Sequence, residues 1–226
     1  MFGSRSTRVR RARLVPIALT TAALSSAVLG ASVTGTLSAF NASITNSSNT
    51  ATAGSLVMKE TGPDGSTQCL SSSGTDNTYT DCRTINKYGG TATPFIPDAT
   101  HDTPVSISNT GVSTVTGFTL TPGTCTATTG ATATSGDLCA SLELNLSCVS
   151  VANGGATGTP VLLTNRVKLK DLTRIDIATA APDCVPAANS GDSVKFVFSV
   201  HMPAGQDNSV QGQTVSQNLT WAFTGA

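Results

Sequence analysis

Apolar side chains in this sequence recur at every second position, and that spacing excludes most helical folds. Val194, Phe196, Phe198 and Val200 alternate with Lys195, Val197 and Ser199; Leu142, Leu144 and Leu146 alternate with Glu143 and Asn145; Val105 and Ile107 alternate with Ser106 and Ser108. A period of two is the mark of a half-buried strand. Further strands are expected around Phe40 to Ile44, Leu56 to Met58, Val115 to Leu120, Leu138 to Val149, Val167 to Leu172 and Val215 to Phe223. Turn signals separate them at Asn109-Thr110-Gly111, Pro122-Gly123 and Pro203-Ala204-Gly205. The Ala-rich run from Ala178 to Ala188 is interrupted by Pro182 and Pro186, which oppose a continuous helix. Composition agrees: 63 of 226 residues are Ser or Thr and only 12% are charged, too few charges for a coiled coil or long bundle. The expected fold is all-β, an antiparallel β-sandwich of jelly-roll type built from seven to nine short strands.

The N-terminus reads as an export signal. Arg5, Arg8, Arg10, Arg11 and Arg13 precede an uncharged run from Leu14 to Leu37 that is rich in Ala, Thr, Ser and Leu. A basic segment, an apolar stretch and small residues at Thr36 and Ser38 form a signal peptide over residues 1–38, with signal peptidase cutting between Ser38 and Ala39. An uncleaved anchor is the competing reading, since 24 uncharged residues are long enough to span a bilayer. Thirteen acidic and thirteen basic residues balance over the whole chain, but the first 38 residues hold five of the bases and no acid. The remainder, 39–226, therefore carries a net −5 and has no basic patch, which argues against a nucleic-acid partner.

Export gives the cysteines their meaning. Cys69, Cys82, Cys125, Cys139, Cys148 and Cys184 are even in number, and in an oxidising compartment they read as three disulfides. Six cysteines allow 15 pairings. Two long polar segments, Thr61 to Tyr88 and Pro122 to Gly136, read as loops, and each has a neighbouring cysteine pair to staple it. Proximity favours Cys69–Cys82 and Cys125–Cys139, leaving Cys148–Cys184, because short loops close at lower entropic cost.

Chemistry-bearing motifs are sparse. No HExxH, GxSxG, P-loop or GxGxxG pattern occurs, and no cofactor, catalytic residue or metal ligand set is implied. No CxxC pair suggests zinc, and His101 and His201 lie near no cysteine pair. His101, between Asp98 and Asp102, reads as part of a solvated turn ahead of a strand at Pro104, with a metal role as the rival; His201 reads as structural, ending a strand. Asp207-Asn208 offers oxygens for calcium without EF-hand-like spacing, so a capped loop is expected there.

Both ends of the exported part resemble a known family. Leu37-Ser38-Ala39-Phe40-Asn41, followed by Thr50-Ala51-Thr52-Ala53-Gly54-Ser55-Leu56, is similar to the start of the TasA/camelysin family after its SipW-type signal peptide. Pro203-Ala204-Gly205-Gln206-Asp207-Asn208-Ser209-Val210-Gln211-Gly212-Gln213 resembles that family's Asn-x-x-Gln-Gly loop, and Thr214 to Thr224 resembles its last strand. The match covers about a third of the chain; the cysteine-bearing middle has no counterpart, and Ala42 stands where many members carry Asp. The resemblance implies a jelly-roll subunit, residues 39–226, of fibres in a biofilm matrix or at the cell surface. Its partners would be further copies of itself and matrix or surface components. Some relatives are labelled metalloendopeptidases, and a monomeric surface adhesin is a third reading. Within the fibre reading, cleavage frees residues 39–46 as a donor strand with Phe40, Ala42 and Ile44 on one face. The polar stretch Asn46-Ser47-Ser48-Asn49-Thr50 lets that strand leave its own domain. A first strand kept at home in its own sheet is the alternative.

Overall fold

The computed structural model describes residues 53–89, 93–128, 136–206 and 208–225, all within the unit Ala53–Ala226. The expected cleavage pair Ser38 and Ala39, the expected donor-strand residues Phe40, Ala42 and Ile44, and Asp207 lie outside the described residues.

Eleven strands are present among the described residues: β1 (Met58–Thr61), β2 (Gln68–Leu70), β3 (Thr100–Asn109), β4 (Val115–Pro122), β5 (Thr126–Thr128), β6 (Glu143–Ala152), β7 (Gly155–Lys168), β8 (Ile175–Asp176), β9 (Ser193–His201), β10 (Thr214–Ser216) and β11 (Leu219–Gly225). One-turn helices α1 (Leu138–Ser141) and α2 (Ile177–Ala180) interrupt them. A six-stranded sheet runs β2-β1-β3-β9-β6-β7, a three-stranded sheet runs β11-β4-β8, and β10-β5 forms a small ribbon. Each of these strand pairs is antiparallel. The architecture is an antiparallel all-β sandwich.

Alternation explains which face each strand buries. Cα partners across an antiparallel pair share a face, so Val105, Phe196 and Cys148 form one inward row of the wide sheet and Phe198 with Leu146 form the next. The narrow sheet answers with Phe118 and Leu120 of β4, paired with Phe223 and Trp221 of β11. Phe118 meets Phe196 edge-on at 5.7 Å and Trp221 lies 4.8 Å from Phe196, ring centre to ring centre. Phe118, Leu120, Phe196 and Phe198 are fully buried, and each such side chain contributes about 2–3 kcal/mol of burial.

Turns follow local chemistry. Asn109 bridges the β3–β4 turn by donating from Nδ2 to the Ser113 carbonyl and accepting from Gly111 N–H. Gly111 is required there, because a Cβ would stand 2.2 Å from the Ser55 carbonyl oxygen.

Several expectations need correction. Leu138 does not open a strand: Asp137 caps α1 by accepting from Cys139 N–H, and β6 starts only at Glu143. Beyond Lys168 the chain leaves the sheet, and Leu169–Asp171 forms a 3-10 turn whose Leu169 N–H bonds to the Leu142 carbonyl. The two expected long loops hold the short strands β2 and β5. Pro104 sits inside β3 rather than at its start. It stands opposite Val197 of β9, and on its other side β1 pairs with β3 only from Ser106 to Asn109, so no β1 ladder bond is lost there.

Candidate functional site

Among the described residues the narrow sheet has half as many strands as its partner, so one part of the wide sheet has no facing strand among them. That part is the β1–β2 margin. Leu56, Met58 and Glu60 alternate there, and Glu60 shares an inward row with Cys69, Ile107 and Val194. Beneath it lies a groove of about 990 Å³ that runs along β11 from Leu219 to Phe223. Its apolar lining includes Leu56, Met58, Tyr79, Ile85, Trp221 and Phe223.

The outer wall is the segment after β2. The Cys69–Cys82 disulfide folds this segment back on the sheet. Asn77 Nδ2 donates to the Leu56 carbonyl, and Ser71 Oγ donates to Asn77 Oδ1 at 2.7 Å. At the wall's far end, Tyr88 Oη donates to Gln217 Oε1 at 2.5 Å, and burial pushes the Tyr88 phenol well above its ordinary range. Gln217 in turn donates to the Gly123 and Leu169 carbonyls, fixing the kink where β10 passes into β11.

An ion pair lies within this lining. Lys87 Nζ stands 2.7 Å from Glu60 Oε1, with only 9% and 8% of the two side chains exposed. Trp221 Nε1 donates to the same oxygen at 3.2 Å, and Cys82 Sγ lies 3.9 Å from Glu60 Oε2. Buried charges persist only when paired and hydrogen-bonded, and this one is both. Trp221 thereby ties the edge of the narrow sheet to the margin of the wide one.

β11 pairs with β4 alone among the described residues, so its other backbone edge faces the groove without a ladder partner. Its sequence, Leu-Thr-Trp-Ala-Phe-Thr-Gly, contains no charge and no proline. The remaining edges are different. β2 and β8 have three and two residues. β7 is long but carries Pro160, Arg166 and Lys168, and its pairing with β6 is broken by register shifts. Charge, proline, bulges and brevity are how sheet edges are protected from other chains. β11 has seven residues with neither charge nor proline, and its register with β4 is continuous from Leu219 to Thr224, shifting only at Gly225.

The cysteines are joined as Cys69–Cys82, Cys125–Cys139 and Cys148–Cys184, the pairing that proximity favours. Three disulfides belong to an oxidising environment. His101 is not in a solvated turn: β3 begins at Thr100, and the His101 ring packs edge-on against Phe95 at 4.4 Å. His201 ends β9 as expected, with Nδ1 3.0 Å from Thr100 Oγ1. Thr100 pairs with His201 and His101 pairs with Val200, so the two imidazoles project from opposite faces and do not converge.

Sequence reading missed Glu60 and Lys87, 27 positions apart, with Lys87 inside an expected polar loop. One signal was present: an acid at the inward position after Leu56 and Met58 needs a buried partner. No protein-family model matches the chain, and no curated protein matches it.

Proposed function

We propose that the chain is an exported structural subunit of an extracellular or cell-surface fibre, and that the groove beside β11 accepts a strand from another copy. The observation that carries this reading is the uncharged, proline-free β11 edge lying against a groove of mixed lining whose apolar part includes Leu56, Met58, Ile85 and Phe223. Strand addition uses the two together: the free edge supplies main-chain hydrogen bonds and the groove receives alternate side chains.

The proposed occupant is Ala39–Asn46 of the next subunit, inserted with Phe40, Ala42 and Ile44 facing the groove. β11 spans about 23 Å at strand rise, so seven residues of that eight-residue segment match it. The contact joins unlike surfaces and repeats without closing, which yields a filament. The resemblance of both chain ends to the TasA/camelysin family supports a jelly-roll fibre subunit of a biofilm matrix. The oxidising environment that the disulfides need is consistent with such a location.

The test is to examine secreted, cleaved protein by electron microscopy beside a variant lacking residues 39–45 and the substitution Ile44→Asp. Filaments from the wild type and none from either variant are expected. A deletion variant that polymerises normally would remove this mechanism. A wild type that remains monomeric after cleavage would remove the fibre reading, leaving residues 39–46 as an intramolecular strand.

A further inference from the structure

The outer wall of the groove has almost no core of its own. None of residues 71–84 is buried, and only Ser71, Gly74 and Cys82 are even half-buried. Yet Ser71, Asn77, Thr78, Tyr79, Thr80 and Arg83 all line the groove. With so little apolar burial, this stretch is expected at the low end of local stability. A few exposed polar contacts and one covalent tie, Cys69–Cys82, hold it.

That tie also differs from the other two in access. Cys148 and Cys184 are each 1% exposed, and the Cys125–Cys139 disulfide joins a half-buried Cys125 to a Cys139 that is 2% exposed, whereas both Cys69 and Cys82 are half-buried. Thiol–disulfide exchange requires the attacking thiolate to reach a sulfur, so Cys69–Cys82 is the disulfide open to attack from either end. Its opening releases the wall but leaves the ladders of the sandwich intact.

We infer that Cys69–Cys82 is a redox latch on the groove: closed, it holds the wall that receives the incoming strand, and opened, it abolishes strand acceptance. The inference rests on the strand-acceptor reading above. In the opening step, one thiolate of a dithiol reductant attacks Cys69 Sγ or Cys82 Sγ and expels the other as a thiolate. The reductant's second thiol then displaces the mixed disulfide. Two electrons and two protons pass to the protein as two cysteine thiols, and the reductant leaves as its own disulfide. A chain that is still reduced would therefore be unable to accept a strand, and acceptance would begin only after export and oxidation.

The test uses the secreted, cleaved protein, with dithiothreitol added under non-denaturing conditions and peptide mapping of alkylated cysteines to show which disulfides have opened. Arg83, which lies in the wall and pairs with Asp81 at 2.5 Å, provides the first readout as a tryptic site. Selective opening of Cys69–Cys82 is expected to speed cleavage after Arg83 at least about tenfold, because proteolysis follows the population of the opened form. Seeded filament growth should stop and return on reoxidation. The double variant Cys69→Ser/Cys82→Ser should match the reduced protein, and if it is not secreted the reduction arm decides. Unchanged Arg83 cleavage with the disulfide shown open would overturn the latch, as would filaments that grow equally well from reduced and oxidised protein. Absence of filaments from oxidised protein marks instead the failure of the strand-acceptor reading, and the latch falls with it.

Discussion

Replacing Lys87 with Met leaves the Glu60 carboxylate in a site where only 8% of its surface meets water and, among the described residues, Trp221 Nε1 remains as a side-chain donor at 3.2 Å. Removing one partner of a buried pair costs about 3–5 kcal/mol, because the other charge is left uncompensated. Domains of this kind are stable by roughly 5–15 kcal/mol, so the single change removes about a fifth of the total or more. Replacing both partners, Glu60→Leu with Lys87→Met, removes the desolvation cost along with the attraction. It should be neutral or stabilising by about 1–4 kcal/mol. Urea titration reads both values through the emission of Trp221, the one tryptophan of the chain. An Ile44→Asp background keeps assembly out of the measurement. A Lys87→Met cost below about 1 kcal/mol, the range of exposed pairs, would refute the reasoning. So would a double variant less stable than either single one.

Other consequences are more local. Replacing Cys148 and Cys184 by Ala should cost about 4 kcal/mol by chain entropy over a separation of 36 residues, against about 3 kcal/mol for either shorter staple; denaturant midpoints rank them. Asp64 accepts from the N–H and hydroxyl groups of Ser66 and Thr67, and these bonds hold its carboxyl well below 3.8. A lowered folded pKa gives stability that is present above about pH 4 and lost as the pH falls further, so the β1–β2 connection should loosen only in strong acid; a carboxyl titration by NMR with a midpoint near 3.8 would contradict this. Tyr88 has the opposite sign: its raised phenol stabilises fully below about pH 10 and progressively less above it. Tyr88→Phe should flatten that alkaline loss and cost about 1–2 kcal/mol at neutral pH, by leaving Gln217 Oε1 without its donor.

Legibility in the sequence followed the strength of the apolar period. β9 buries every second residue, β4 buries Phe118 and Leu120, and β11 alternates half-buried with exposed positions, so alternation located them with their turns. β7 escaped because most of its fourteen residues are exposed, and a strand that buries little leaves no period of two to read. β2 and β5, at three residues each, are too short to carry a pattern. α1 was masked by Leu138, which continues the apolar spacing of the strand that follows, while the capping Asp137 carried the signal that mattered. The local disulfides were readable because loop closure favours neighbours. The Glu60–Lys87–Trp221 cluster was not, since it joins residues from a strand, an irregular segment and the last strand, and only tertiary packing brings them together.

The groove and the bare edge of β11 are the features from which the function is inferred, and the β11 amides report on both. Backbone hydrogen exchange of the cleaved protein, measured residue by residue before and after assembly, tests the claim most directly. The account predicts that amides within Leu219–Gly225 gain protection on assembly while those of the β7 edge, Gly155–Lys168, do not. Assembly that leaves the β11 amides exchanging as in the monomer, or that protects β7 instead, would contradict it.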